Sequence, residues 1–233
     1  QADKQTVQVF LEQYKDAPFA DRLRGEWLKI LARRQDWVAF FEEYPKFQRE
    51  DMAVRCYATD GHIQQGLESG VLEGKALWLT GSELPANCET VFNRLQQGGV
   101  LREEDIWARV RLLLQGSRMT VAKTVLQRLP GFDKNNLKLL DRVYQNPQQI
   151  LEKQQISFKT RLGKELNLYA LERLSRGQPA LTLDIWEKRH VDFDVADRDY
   201  FWGRFALHAA RKHDPAALTY FQRAGNAVLD KEQ

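Results

Sequence analysis

Carboxylates, histidines and cysteines are the residues in this chain able to do chemistry, and their spacing decides what they do. Glu42-Glu43 are adjacent, so on a helix their carboxylates diverge. Glu103-Glu104-Asp105 and the set Asp192, Asp194, Asp197 and Asp199 stand where helices begin, where acidic groups cap amide N–H groups and complement the helix dipole. Glu68-Ser69, in Gln65-Gly66-Leu67-Glu68-Ser69-Gly70, reads as part of a helix surface. His62, His190, His208 and His213 are scattered without H-E-x-x-H spacing and read as surface or packing residues. No G-x-S-x-G, Walker loop or G-x-G-x-x-G occurs, so the sequence points to no nucleophile elbow, no cofactor and no metal, and supplies no catalytic assignment. Cys56 and Cys88 are not a C-x-x-C pair; they are either a cross-brace or two small buried thiols.

The elements that must position these residues are helices. Apolar residues recur at steps of three and four almost throughout: Val7, Phe10, Leu11 and Tyr14; then Phe19, Leu23, Trp27, Ile30 and Leu31 after Pro18; then Trp37, Phe40, Phe41 and Tyr44 up to Pro45. A fourth helix is expected over about 51–59, separated at Asp60-Gly61 from a central helix that has Gly66 and Gly70 as further candidate breaks and bears Leu67, Val71, Gly74 and Trp78 on one side, with Gly74 letting a neighbour approach closely. Gly81 is expected to stop that helix and a new one to run over about 86–97. Further helices follow, punctuated by Gly98-Gly99, Pro130-Gly131, Asn146-Pro147, Gly177 and Asp214-Pro215. No segment alternates with period two, so no sheet is expected. Helix pairs of this size hide their apolar sides only by stacking on neighbours. The expectation is an all-α superhelix of stacked antiparallel pairs, an irregular α-solenoid of tetratricopeptide style over residues 1–233. The Asn-, Gln- and Lys-rich stretch 128–155 is its weakest part and a place for a bend.

Composition narrows the function classes. The 233 residues are 43% hydrophobic and 29% charged, enough for a substantial core, and contain no apolar run long enough to span a membrane. Gln1 opens inside polar helical sequence, which reads as a mature chain or a fragment. With 35 basic against 32 acidic residues the net charge is +3, and no concentrated basic face suggests nucleic acid. Arg22, Arg24, Arg33 and Arg34 alternate with Asp21, Glu26 and Asp36, the pattern of a solvated helix surface. Six Trp and twelve Phe fall mostly on apolar stripes and read as core, with one or two rings available to stack on sugars.

One stretch is distinctive: Cys56, then Ala76-Leu77-Trp78-Leu79-Thr80-Gly81, then Pro85-Ala86-Asn87-Cys88-Glu89-Thr90-Val91-Phe92. It resembles the N-terminal superhelical region of the soluble lytic murein transglycosylases, with Leu77, Trp78, Leu79, Thr80 and Gly81 as the family motif. The resemblance implies a periplasmic enzyme that cleaves MurNAc–GlcNAc bonds of peptidoglycan to 1,6-anhydro products. It also implies an oxidising compartment, and so a structural Cys56–Cys88 disulfide, whose loop would contribute about 3–4 kcal/mol on the chain-entropy model. That family's catalytic Glu-Ser lies in an Arg-Gln-Glu-Ser-type context followed by Gly-Leu-Met-Gln and Ala-Tyr-Asn-Ala-Gly segments. Glu68-Ser69 lacks that context, so the resemblance is to the scaffold without the catalytic domain, and these residues alone are expected to be inactive. The implied partners are glycan strands, the chain's own C-terminal catalytic domain and other cell-wall proteins. Two rivals stand beside this: a helical-repeat scaffold for protein partners, and a complete small enzyme using Glu68 or the Asp192–Asp199 cluster.

Overall fold

The structure, a computed structural model, describes residues 4–15 and 17–225. Gln1 and Gln233, the bounds of the expected domain, lie outside the described residues. Among those described, the secondary structure is entirely helical, as the periodicity predicts. The chain divides into two compact units, Gln1–Pro130 and Gly131–Gln233; the division falls inside the 128–155 stretch.

The first unit contains α1 (Lys4–Gln13), α2 (Pro18–Arg33), α3 (Trp37–Glu43), α4 (Met52–Gln64), α5 (Glu68–Trp78), α6 (Cys88–Gln97), α7 (Glu103–Gln115) and α8 (Met119–Leu126). Helices pack on their neighbours in sequence: α2 on α3 and α4, α4 on α5 and α6, α5 on α6, and α7 on α8. This is the stacking that amphipathic pairs require. Trp27, Leu28, Leu31, Phe40 and Val54 fill one core, with Trp37, Phe41 and Tyr44 half-buried against it. Each large apolar side chain so buried contributes about 1.5–3 kcal/mol. Helix starts are capped by side chains: Asp36 accepts from the Ala39 amide at 3.2 Å, and Asp51 from those of Ala53 and Val54 at 2.9 and 3.1 Å.

The structure moves two expected boundaries. Asp60-Gly61 does not end α4, which continues to Gln64; the break comes at Gly66, the other candidate in the sequence, a residue at φ 73°. Gly61 instead gives room for neighbours: a Cβ there would lie 2.7 Å from Trp37 Cε3 and 2.9 Å from Phe41 Cζ. Asp60 is buried and accepts from Arg94 Nε of α6 at 2.6 Å and Gln64 Nε2 at 2.8 Å. Nor does Gly81 stop α5. The helix ends at Trp78, three residues earlier, and Thr80 Oγ1 donates to the Leu77 carbonyl at 3.1 Å. A Cβ on Gly81 would lie 3.1 Å from the Leu112 carbonyl oxygen, so its small size serves contact with α7. A third correction concerns charge. Arg24 is buried, 3.6 Å from the buried Glu43, and donates to the Lys46 carbonyl at 3.2 Å; it is no part of a solvated surface.

The second unit contains α9 (Leu137–Gln145), α10 (Pro147–Glu152), α11 (Arg161–Gly177), α12 (Pro179–Arg189), α13 (Val195–Arg211) and α14 (Ala217–Gln222). The central α11 packs against α9, α10, α12 and α13, and α13 packs on α14. Pro147 and Pro179 open their helices, where a missing amide N–H costs nothing. Thr160 caps α11 and Asp194 caps α13, accepting from the Gly163 and Asp197 amides at 3.1 and 2.9 Å. Trp186 stacks on Phe201 at 3.7 Å, with Phe193 and Trp202 packed around it.

Candidate functional site

The distinctive stretch folds into one node of the first unit. Cys56, in α4, and Cys88, the first residue of α6, are joined by a disulfide with Cα atoms 5.0 Å apart, and both are fully buried. Asn87 Nδ2 donates to the Ala53 carbonyl at 2.8 Å beside it, so the turn into α6 is held to α4 by a covalent link and a hydrogen bond. The helix between them, α5, lies close to α6. A Cβ on Gly74 would stand 2.7 Å from Leu95 Cδ1 and 3.1 Å from Val91 Cγ1.

Trp78 sits at the centre, 1% exposed. Its indole N–H donates to the Asp105 carbonyl at 2.8 Å, tying α5 to the first turn of α7. Phe92 meets it edge-on at 5.0 Å, and the guanidinium of Arg109 lies 4.8 Å from the indole and 5.0 Å from the Phe92 ring. Arg109 also donates to the carbonyls of Leu77, at 3.2 Å, and Trp78. These are acceptors that the last turn of α5 leaves unpaired, and a cation opposes the negative end of the helix dipole. Burial pushes the Arg109 pKa down to about 10; the charge of Glu89 opposes this and that of Arg128 adds to it. Arg128 lies 5.6 Å from the Trp78 ring, pairs with Glu89 and donates to Gln96 Oε1 at 2.9 Å.

Of the five motif residues, Leu77 and Trp78 are buried, Thr80 closes the helix end, Gly81 meets α7, and Leu79 is 46% exposed. The node therefore joins α4, α5, α6 and α7. Arg109 was not singled out by the sequence reading. Its signal is an arginine within the Ile106, Val110, Leu113 stripe, where a charge is placed among buried positions.

The second unit holds a buried ionic cluster that the sequence reading also missed. Glu172 of α11 is enclosed by Arg176 Nη2 at 2.9 Å, Arg204 Nη2 at 3.2 Å and His208 Nε2 at 3.7 Å. The Tyr200 hydroxyl donates to its other oxygen at 3.1 Å. Burial alone would raise the Glu172 pKa; His208, Arg204 and Arg176 overcome it and hold the carboxyl down to about 2. A general acid needs the opposite shift, so this enclosed carboxylate serves to join α11 to α13.

Of the other sequence candidates, Asp105 meets the Trp78 node through its backbone carbonyl. Glu68 and Ser69 are exposed at the start of α5. Asp105 accepts from the Arg102 amide at 2.9 Å, Asp192 pairs with Arg189 at 3.0 Å, and Asp197 is buried. His62 stacks on Phe41 at 4.5 Å, His190 faces the Glu187 carbonyl at 3.1 Å, and His213 is exposed. Trp27, Trp78, Trp107, Trp186 and Trp202 are core, while Trp37 is half-buried.

The fold is an all-α array of stacked helices, and solved structures share it. The lytic transglycosylase Slt from Pseudomonas aeruginosa, solved as an inactive mutant, matches 96% of this chain with a TM-score of 0.77 and 28% identity. The 70-kDa soluble lytic transglycosylase Slt70 from Escherichia coli matches 96% with a TM-score of 0.64 and 17% identity. A complex of the 70-kDa soluble enzyme with bulgecin A matches 94% with 0.63 and 16%. The resemblance to soluble lytic transglycosylases carried by the motif is thus matched by the fold. The chain spans about 37% of the length of these structures. No family model and no curated protein matches it. No described helix is long and apolar enough to cross a membrane.

Proposed function

We propose that this chain is the superhelical scaffold of a periplasmic peptidoglycan lytic transglycosylase, which holds glycan strands or their peptides for a catalytic domain elsewhere in the protein. The cleavage itself, of MurNAc–GlcNAc bonds to 1,6-anhydro products, belongs in this reading to that other domain. The single observation that carries the proposal is the 28% identity to a lytic transglycosylase over 96% of this chain. The disulfide supports the periplasmic part, since such links persist in oxidising compartments.

Two measurements test it. The chain is expected to sediment with purified sacculi above a charge-matched control protein and to release no anhydro-muropeptides. Retention no better than the control would overturn the scaffold role, and release of anhydro-muropeptides would assign the chemistry to residues present here.

The second reading, a scaffold for protein partners with no sugar role, is favoured by one feature: an open apolar groove of about 450 Å³ on α1 and α2.

A further inference from the structure

We propose that this groove docks an apolar peptide segment of another protein, with an acidic residue of that segment seated at the arginine end. Its walls are Val7 of α1 and Leu23, Trp27 and Ile30 of α2, and Arg33 and Arg34 close it. Leu23 and Ile30 are 39% and 36% exposed, although both lie on the apolar stripe of α2. The strip continues along the same helices. Phe10 is one turn from Val7 and Phe19 one turn from Leu23, and their rings form an exposed group with Tyr14 at 4.7–6.1 Å. In a stacked array an apolar outer face on a helix pair is the kind of surface that a further element covers.

Charge says what kind of element. The one acidic residue at the groove, Glu26, is engaged by Lys29 at 3.0 Å. Arg33 Nε donates to the Lys29 carbonyl at 3.1 Å, and the Arg33 Nη atoms have no partner among the described residues. The groove thus runs from apolar walls to the Arg33 guanidinium, with Arg34 beside it acting on Asp36, matching a segment with apolar side chains and an acidic residue. Trp27 lines the groove with little of its surface exposed, so its indole resonance reports on anything seated there. The lining offers only Glu26, Arg33 and Arg34 as polar side chains, fewer partners than the many hydroxyls of a sugar call for.

The test uses the whole chain and two fluorescein-labelled peptides of alternating leucine and alanine, one ending in two glutamates and the other in two glutamines. The glutamate peptide is expected to bind saturably and to shift the Trp27 indole N–H resonance, assigned with Trp27→Phe. Leu23→Asp, or Arg33→Gln with Arg34→Gln, is expected to weaken binding at least tenfold. Equal binding of the glutamine peptide, or an unmoved Trp27 signal, overturns the proposal. So does a disaccharide-tetrapeptide that shifts that signal when neither peptide does, or self-association of the chain that Leu23→Asp abolishes. Circular dichroism checks folding, and if Leu23→Asp misfolds, the exposed arginine pair carries the test. The proposal is independent of the peptidoglycan reading: sacculus retention by the Leu23→Asp chain leaves that reading standing whatever the peptides do.

Discussion

Arg109 and Glu172 are charged residues placed where apolar ones usually go, and each holds its surroundings together by satisfying partners that water cannot reach. Replacing Arg109 by Ala strands the Trp78 carbonyl, leaves that of Leu77 with Thr80 alone, and opens space beside the Trp78 indole. A loss of roughly 3–5 kcal/mol is expected in urea unfolding, because buried acceptors lose their donor and a cavity forms. Arg109→Met keeps most of the volume, so it should recover the packing part of that loss and leave the polar part. For Glu172 the sign follows from its lowered pKa. The carboxylate is stabilising above its unfolded value of 4.5, and that contribution is lost as pH falls from there towards about 2. The shift corresponds to about 3 kcal/mol. Glu172→Gln should therefore unfold more easily than the parent at pH 7, with the gap closing by pH 2; a constant gap across that range would show that the ionised form has no special role. Neither residue was legible in the sequence as anything but a charge on a helix. Which stripe residue is an arginine is visible; that two helix-end carbonyls wait for it is not.

Single glycines show what the sequence can and cannot tell at the level of helices. Gly66, Gly99 and Gly131, all at positive φ, stand where the chain turns, as a helix-stop reading expects. Gly61, Gly74 and Gly81 do something else, leaving room for a neighbour to come close. Both uses look alike in sequence, so Gly61 and Gly81 were misplaced as breaks. Gly74, read as an approach point because it shares a stripe with Val71 and Trp78, was placed correctly. Gly74→Ala pushes a methyl into Leu95 and Val91 of α6. It should cost about 1–3 kcal/mol despite alanine's better helix propensity. Leu95→Ala in the same chain should return part of it, a coupling that a double-mutant thermal melt reads directly.

For the molecule as a whole, the helical class was legible because apolar spacing of three and four covers nearly every segment, and the likeness in kind was legible because Leu77–Gly81 is a compact, unusual string. The division into two units was visible only as a polar stretch, since no local pattern says how many contacts cross it. The buried ionic clusters escaped because they depend on helices far apart in sequence meeting. Arg24 and Glu43 are 19 residues apart, and Glu172 and His208 are 36.

The link between Cys56 and Cys88 has a mechanical consequence. Tension applied to the two ends of the chain passes through the sulfur bond and bypasses the loop between two cysteines 32 positions apart, so α5 bears no load even when the rest is pulled straight. That hidden length is about 110 Å at full extension. In a force–extension measurement, adding reductant to the stretched chain should release a step of that length, and a chain carrying Cys56→Ser with Cys88→Ser should show the extra length from the first pull.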